Sequence, residues 1–319
     1  MSSIRELAEL VKAGRVEGIA RAISFIEDSK DESSKNALLE MLHGSAKNAF
    51  ILGITGPPGA GKSTLIGAMV GPLQKMGFKV AVLAVDASSP ISGGSVLGDR
   101  IRMQESLSKY GIYMRSMASR WSVGGLSSAV LYATVILEAA GFDFIIVETV
   151  GAGQSDFDIM SIADIVAVVL APALGDGLQG IKAGLMEIGD IFVMNKRDIL
   201  DRIGAAASID ALKSALYATE PRPASSGLEK TVVQTIATSS NENENGVGEL
   251  VKLVIEHKKA IESKGGNLEK IKRTLLWLKR EEIAGKLNAL SGSEELKNIS
   301  ERVARRELTL NEALKRIKL

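Results

Sequence analysis

The sequence predicts an α/β protein: a doubly wound, mostly parallel sheet with helical extensions at both ends. Three observations lead there. Short apolar runs rich in Val and Ile alternate with longer stretches whose apolar residues recur at helical spacing. The runs show little two-residue alternation, as expected of strands covered on both faces. A glycine-rich loop, Gly56-Pro57-Pro58-Gly59-Ala60-Gly61-Lys62-Ser63, leaves the first run and enters a helical stretch.

Residues 1–47 read as a helical extension. Ser3-Ile4-Arg5-Glu6 has the pattern of a capping box, with Leu7, Leu10 and Val11 on one face beyond it. Ile19, Ala22, Ile23 and Ile26 predict a second amphipathic helix, and Ala37 to Leu42 a third. None of these residues carries chemistry, so the extension is expected to serve packing or a partner. From 48 to 262 the predicted strands are Phe50–Thr55, Val80–Val85, Phe144–Val147, Ile165–Leu170, Ile191–Met194 and Val232–Ile236. Helical segments between them imply right-handed crossovers, and ligands of such sheets sit beyond the carboxyl ends of the strands. Glu220 to Gly227 and the polar, low-complexity Ser239 to Gly246 read as surface loops. Residues 263–319 interleave charge with Leu275, Leu278, Ile283, Leu287, Val303, Leu308, Leu310 and Leu314, a helical tail that needs a surface to cover its apolar face.

Composition narrows the function. A chain of 319 residues with 45% hydrophobic and 24% charged residues is globular in character. Its net charge of +1 gives no bulk attraction to nucleic acid or an acidic membrane. The absence of cysteine excludes disulfides and thiolate metal sites. No basic-then-apolar leader is seen at the N-terminus, and the longest apolar stretch, Ile162 to Leu174, is too short for a bilayer and contains Asp164. A cytoplasmic location is expected.

The loop at 56–63 fits G-x-x-x-x-G-K-[ST], a phosphate-binding P-loop. Its glycines let backbone N–H groups curl inward, Lys62 reaches the terminal phosphates, and the Ser63 hydroxyl can ligate Mg²⁺. The helix that follows offers its positive end, in a run where Leu65, Ile66, Met69, Val70, Leu73 and Met76 mark the buried face. Asn195-Lys196-Arg197-Asp198 follows a later strand and fits N-K-x-D. An aspartate there accepts both N1–H and N2–H₂ of guanine, which adenine cannot offer, and a site built for that pairing rejects the analogue lacking it. Between the two motifs, Asp86 ends one predicted strand and Glu148 follows another, each placing a carboxylate where it can hold Mg²⁺ directly or through water. Gly151 supplies an N–H for a γ-phosphate oxygen, and Asp99 lies in a glycine-rich loop suited to ordering on a nucleotide.

Two further stretches, Asp86 to Met103 and Val147 to Ser155, closely resemble the MeaB/ArgK-type P-loop G proteins, GTPase chaperones of methylmalonyl-CoA mutase and related B12-dependent acyl-CoA mutases. The resemblance covers nearly the whole chain, including Ala173 to Lys182, similar to that family's third switch, and Val303 to Leu308. It implies a G domain that binds GTP and GDP. Gly56, Gly59, Ala60, Gly61, Lys62, Ser63 and Thr64 would surround the phosphates with Gly151, and Asn195, Lys196, Asp198 and Ala237 the base. Mg²⁺ would lie near Ser63, Asp86, Asp99 and Glu148, with Lys62, Asp99 and Glu148 as candidate catalytic residues. The resemblance further implies a homodimer held partly by the tail, and coupling to the mutase through 173–182, with Gln179 and Lys182 taking part.

The sequence departs from the family at Ala87 and Ala118, where proline is usual, and at Thr235-Ile236-Ala237, where a Ser-Ala base-binding turn is expected before the polar segment 239–246. Gln154 is the candidate by type for orienting water, and Arg100, Arg102 and Arg120 for stabilising charge on the transferred phosphoryl group. Two rival readings use the same loop: an ATP-dependent protein kinase of an amino-acid transport system, and a regulatory module that binds nucleotide without turning it over. His43 and His257 are isolated and read as surface or packing residues; Trp121 and Trp277 read as anchors in a core or interface.

Overall fold

The computed structural model describes the chain apart from residues 1, 30, 47, 87–106, 119–126, 150, 152–154, 173–182, 201, 219–223, 243 and 318–319. It contains a seven-stranded sheet in the order β3-β2-β4-β1-β5-β6-β7: β1 Phe50–Thr55, β2 Val80–Asp86, β3 Tyr113–Ala118, β4 Phe144–Thr149, β5 Ile165–Leu170, β6 Ile191–Met194 and β7 Thr231–Gln234. All the pairings are parallel. β1, β4, β5 and β6 are buried at every position, which is why their sequences run apolar without alternation.

Alternate residues serve opposite faces. Leu52, Ile54, Val82, Phe144 and Ile146 join a core with Leu65, Met69 and Leu73 of α4 (Lys62–Lys75) and with Leu250 and Val254 of the helix Val247–Ser263. Ile51, Leu83, Ile145 and Val147, equally buried, face the other way. That side is covered by α5 (Ser128–Ala139), on which the N-terminal helices α2 (Val16–Asp28) and α3 (Glu32–His43) pack in turn. The 1–47 extension is therefore a second layer of the sheet's own unit, with Ile19, Ala22, Ile23 and Ile26 buried as their spacing requires. The first helix, α1 (Ser2–Lys12), already includes Ser3, so Ser3 is not its N-cap and the capping-box expectation for Ser3-Ile4-Arg5-Glu6 does not hold.

β3 is the strand that the sequence does not predict. It is an edge strand, and its Tyr-Met-Arg-Ser, half-buried up to Arg115 and exposed at Ser116, lacks a Val/Ile run. Arg115 at its centre reaches Glu27 of α2 at 2.6 Å and the Ser24 hydroxyl at 2.9 Å, so a charged side chain stands where pattern reading expects an apolar one.

Met1–Arg273 forms one compact unit and Thr274–Leu319 another. The second unit is helical. It comprises the remainder of the helix Leu268–Ser291, then Glu294–Ala304, N-capped by Ser293, and Leu310–Arg316, opened by a full capping box between Thr309 and Glu312.

Candidate nucleotide site

The carboxyl ends of β1, β4, β6 and β7 carry most of the described residues singled out above, in segments that touch one another. At the end of β1 the loop 56–61 turns through positive φ at Gly56 (134°), Gly59 (77°) and Gly61 (91°). A Cβ on Gly56 would fall 2.0 Å from the Val169 carbonyl oxygen, and one on Gly61 would fall 2.4 Å from Asn195 Nδ2. Both positions thus require glycine for space as well as for conformation. Ala60 is buried, and its N–H closes a turn onto the Pro57 carbonyl at 3.2 Å. The amides of Lys62, Ser63 and Thr64 precede the first intrahelical bond of α4, Leu65 N to Gly61 O at 2.9 Å, and so lie at the helix end where anions are favoured.

Lys62 is buried and donates to the carbonyls of Gly56 (2.7 Å) and Pro57 (3.2 Å). Burial pushes its ammonium below the usual lysine value, while the nearby Glu148 and Asp156 carboxylates act against the shift. The Ser63 hydroxyl donates to Glu148 Oε1 at 2.7 Å, bringing together two of the four residues expected around a metal. Asp86 is the last residue of β2, beside β4 in the register that pairs Val85 with Thr149. Its side chain lies outside the described residues, as do Asp99, Ala87, Arg100, Arg102, Arg120, Trp121, Gln154 and the whole of 173–182 with Gln179 and Lys182.

Among the described residues no cluster of three or more His, Cys, Asp or Glu could hold a metal by itself. The paired hydroxyl and carboxylate are hard oxygen donors. They fit Mg²⁺ bound in the manner of nucleotide sites, through one or two protein oxygens, water and phosphate.

Asn195 joins the phosphate loop to the loops that follow β6 and β7. Its Nδ2 donates to the Ala60 carbonyl at 2.9 Å; its Oδ1 accepts from the Thr235 hydroxyl (2.9 Å) and the Ala237 amide (3.1 Å). Lys196 stands in the left-handed region at φ 59°, with its side chain against Gly61. Asp198 lies on the 3₁₀ turn Arg197–Ile199 and is exposed to solvent. The polar segment after Ala237 is tied down by Asn245, which is buried. Its carbonyl accepts from Ile236 N at 2.9 Å, its Oδ1 from Val247 N at 2.9 Å, and its Nδ2 donates to Ser239 O at 3.2 Å. Composition alone gave no sign of that role.

Sequence reasoning also missed Asp156. It is buried beside Thr55 at the end of β1 and Thr149 at the end of β4, and its Oδ1 accepts from both hydroxyls at 2.8 Å and from the Gly151 amide at 3.1 Å. The available signal was a threonine closing each of two buried strands, β1 and β4. His257, read as a surface or packing residue, is buried with its Nδ1 2.7 Å from Ser226 Oγ.

Residues 19–291 match the family model described as methylmalonyl Co-A mutase-associated GTPase MeaB. A putative GTPase of Pyrococcus horikoshii is 44% identical over 270 residues, covering 85% of this chain and 82% of that one. The GTPase ArgK of Escherichia coli is 32% identical over 298 residues, covering 92% and 88%. The crystal structure of a LAO/AO transport system kinase superposes with a TM-score of 0.73 at 26% identity, covering 99% of this chain and 96% of that one. The P-loop fold, the site and these likenesses agree: the chain belongs to the MeaB/ArgK family of P-loop GTPases.

Proposed function

We propose that this protein is a Mg²⁺-dependent GTPase that acts as a chaperone of a B12-dependent acyl-CoA mutase. The observation that carries the nucleotide reading is the Asn195 bridge: one buried side chain holds the phosphate loop and the base-recognition loops in fixed relation. A purine nucleotide laid along that bridge has its phosphates over Gly59 to Thr64 and its base beside Lys196 and Asp198. Guanine satisfies the exposed Asp198 carboxylate with two donors, whereas adenine leaves it unpaired.

Catalysis on such a site is positioning and electrostatics. Lys62 gives its ammonium to the terminal phosphates in exchange for the Gly56 and Pro57 carbonyls, which hold it in place beforehand. Ser63 and Glu148, with Asp86 and Asp99, would hold Mg²⁺, which would supply positive charge to the phosphates. Gln154, the candidate by type for orienting water, lies outside the described residues, and intrinsic turnover is expected to be slow and to be accelerated by the partner. Residues 173–182 are assigned to that partner contact, and loss of the γ-phosphate would release 86–99 and 148–155.

Assignment to a mutase rests on the family's description. The chain is also proposed to form a homodimer through its tail, where Leu275, Leu276, Ile283, Leu287, Leu310 and Leu314 are large apolar residues exposed to solvent. A cytoplasmic location is proposed; among the described residues, no helix is long and apolar enough to cross a membrane. No nucleic-acid role is proposed.

GTP turnover measured with and without a cobalamin-dependent acyl-CoA mutase tests the function. Acceleration by the mutase, absent in Lys62→Ala, is the expected result. ATP-driven labelling of a transport protein would instead support the kinase reading, and GTP binding without turnover in either condition would support the regulatory-module reading.

A further inference from the structure

We infer that Asp156 is the residue through which this site tells a nucleoside triphosphate from a diphosphate, by holding the Gly151 amide until a γ-phosphate takes it. The inference rests on the GTPase reading above and adds a residue that neither motif contains.

Asp156 Oδ1 gathers three donors from the ends of two neighbouring strands, β1 and β4. Thr55 precedes the first glycine of the phosphate loop, Thr149 follows Glu148, and Gly151 lies two residues further on. Gly151 sits at φ 84°, and a Cβ there would fall 1.6 Å from the Gly56 carbonyl oxygen and 3.0 Å from Lys62 Nζ. Its backbone is therefore packed against the carbonyl that holds the Lys62 ammonium, at the end of the loop where a terminal phosphate must lie. Its N–H, however, is directed to Asp156 at 3.1 Å.

An N–H bound to a buried carboxylate gives it up only to an acceptor of comparable strength, and an anionic phosphate oxygen is one. A diphosphate has no oxygen beyond the β position to compete. When Gly151 changes acceptor, Asp156 keeps both threonine hydroxyls, so the buried carboxylate is not stranded and the exchange costs little. The two threonines thus let Asp156 release Gly151 without leaving an orphaned charge.

The test uses the full-length protein, GDP, a non-hydrolysable GTP analogue, and Asp156→Asn. That variant keeps an oxygen for the threonines while weakening the hold on Gly151. Its preference for the analogue over GDP should rise about ten-fold relative to wild type, the difference between a charge-assisted and a neutral hydrogen bond. A purely structural role would weaken both nucleotides together and leave the ratio unchanged, which would overturn the inference. In the wild type, the Gly151 amide resonance should move on adding the analogue and hold its position on adding GDP. Equal movement with both would overturn it even if the variant failed to fold. Wild-type protein that binds neither guanine nucleotide would overturn the GTPase reading itself. Normal wild-type binding with an unchanged ratio in the variant would overturn only the role of Asp156.

Discussion

Replacing Asn195 by alanine removes one side chain and three hydrogen bonds: to the Ala60 carbonyl, from the Thr235 hydroxyl and from the Ala237 amide. Asn195, Ala60 and Thr235 are all at most 2% exposed, so two of the abandoned groups cannot turn to bulk solvent. A buried polar group left unpaired costs about 1–3 kcal/mol, and a partly hydrated one roughly half a kilocalorie. A water admitted to the space recovers part of this. The expected loss is about 3 kcal/mol of unfolding free energy in nucleotide-free protein, read from urea titrations as a lower midpoint at unchanged slope. Asn195→Asp, which keeps Oδ1 but turns an anionic oxygen toward the Ala60 carbonyl, should cost at least as much. If Asn195→Ala lay within about 0.5 kcal/mol of wild type, the range of an inconsequential surface change, the bridge could not be what fixes the two loops.

Other consequences can be measured directly. Gly61→Ala forces a side chain into φ 91° and onto Asn195 Nδ2, and should weaken GDP binding by at least about ten-fold in calorimetry. Asp198→Asn should lower GTP affinity by about 100-fold or more while leaving the weak binding of ATP unchanged, as a competition assay would show. Glu138 is pushed up to about 7, chiefly by burial, with Lys270 opposing the shift and Asp164 reinforcing it. A carboxyl whose folded value lies above its unfolded one favours the fold at low pH and loses that contribution as pH rises toward 7. Glu138→Gln should therefore stabilise the protein by about 2 kcal/mol at pH 8, reduced from the full shift because the side chain keeps some contact with water, and by little below pH 5. Thermal unfolding across that range checks the sign.

Most of the fold was legible because its strands are buried on both faces. β1, β4, β5 and β6 announce themselves as apolar runs, and the turn into α4 is spelled out by glycines that the geometry requires. β3 was not legible: an edge strand half covered by α2 needs no continuous apolar run, and Arg115 finds its partner 88 residues away in sequence, at Glu27. The phosphate loop and Asn195 could be named because each belongs to a pattern with fixed spacing, and Glu148 because it is a carboxylate at the end of an apolar run. Asp156 could not, because its donors, one closing β1 and two at and just beyond the end of β4, meet only once β1 and β4 are paired. Asn245 was hidden for a different reason: in a run of Asn, Glu and Ser, composition signals a solvated loop, and only tertiary contact shows which asparagine is buried.

Calorimetric titration of the nucleotide-free protein with GDP and with ADP, each with Mg²⁺, addresses the shared cleft most directly. GDP should bind one per chain, with ADP at least about 100-fold weaker. Absence of heat with GDP, or equal affinity for ADP, would contradict a guanine nucleotide spanning Lys62 and Asp198.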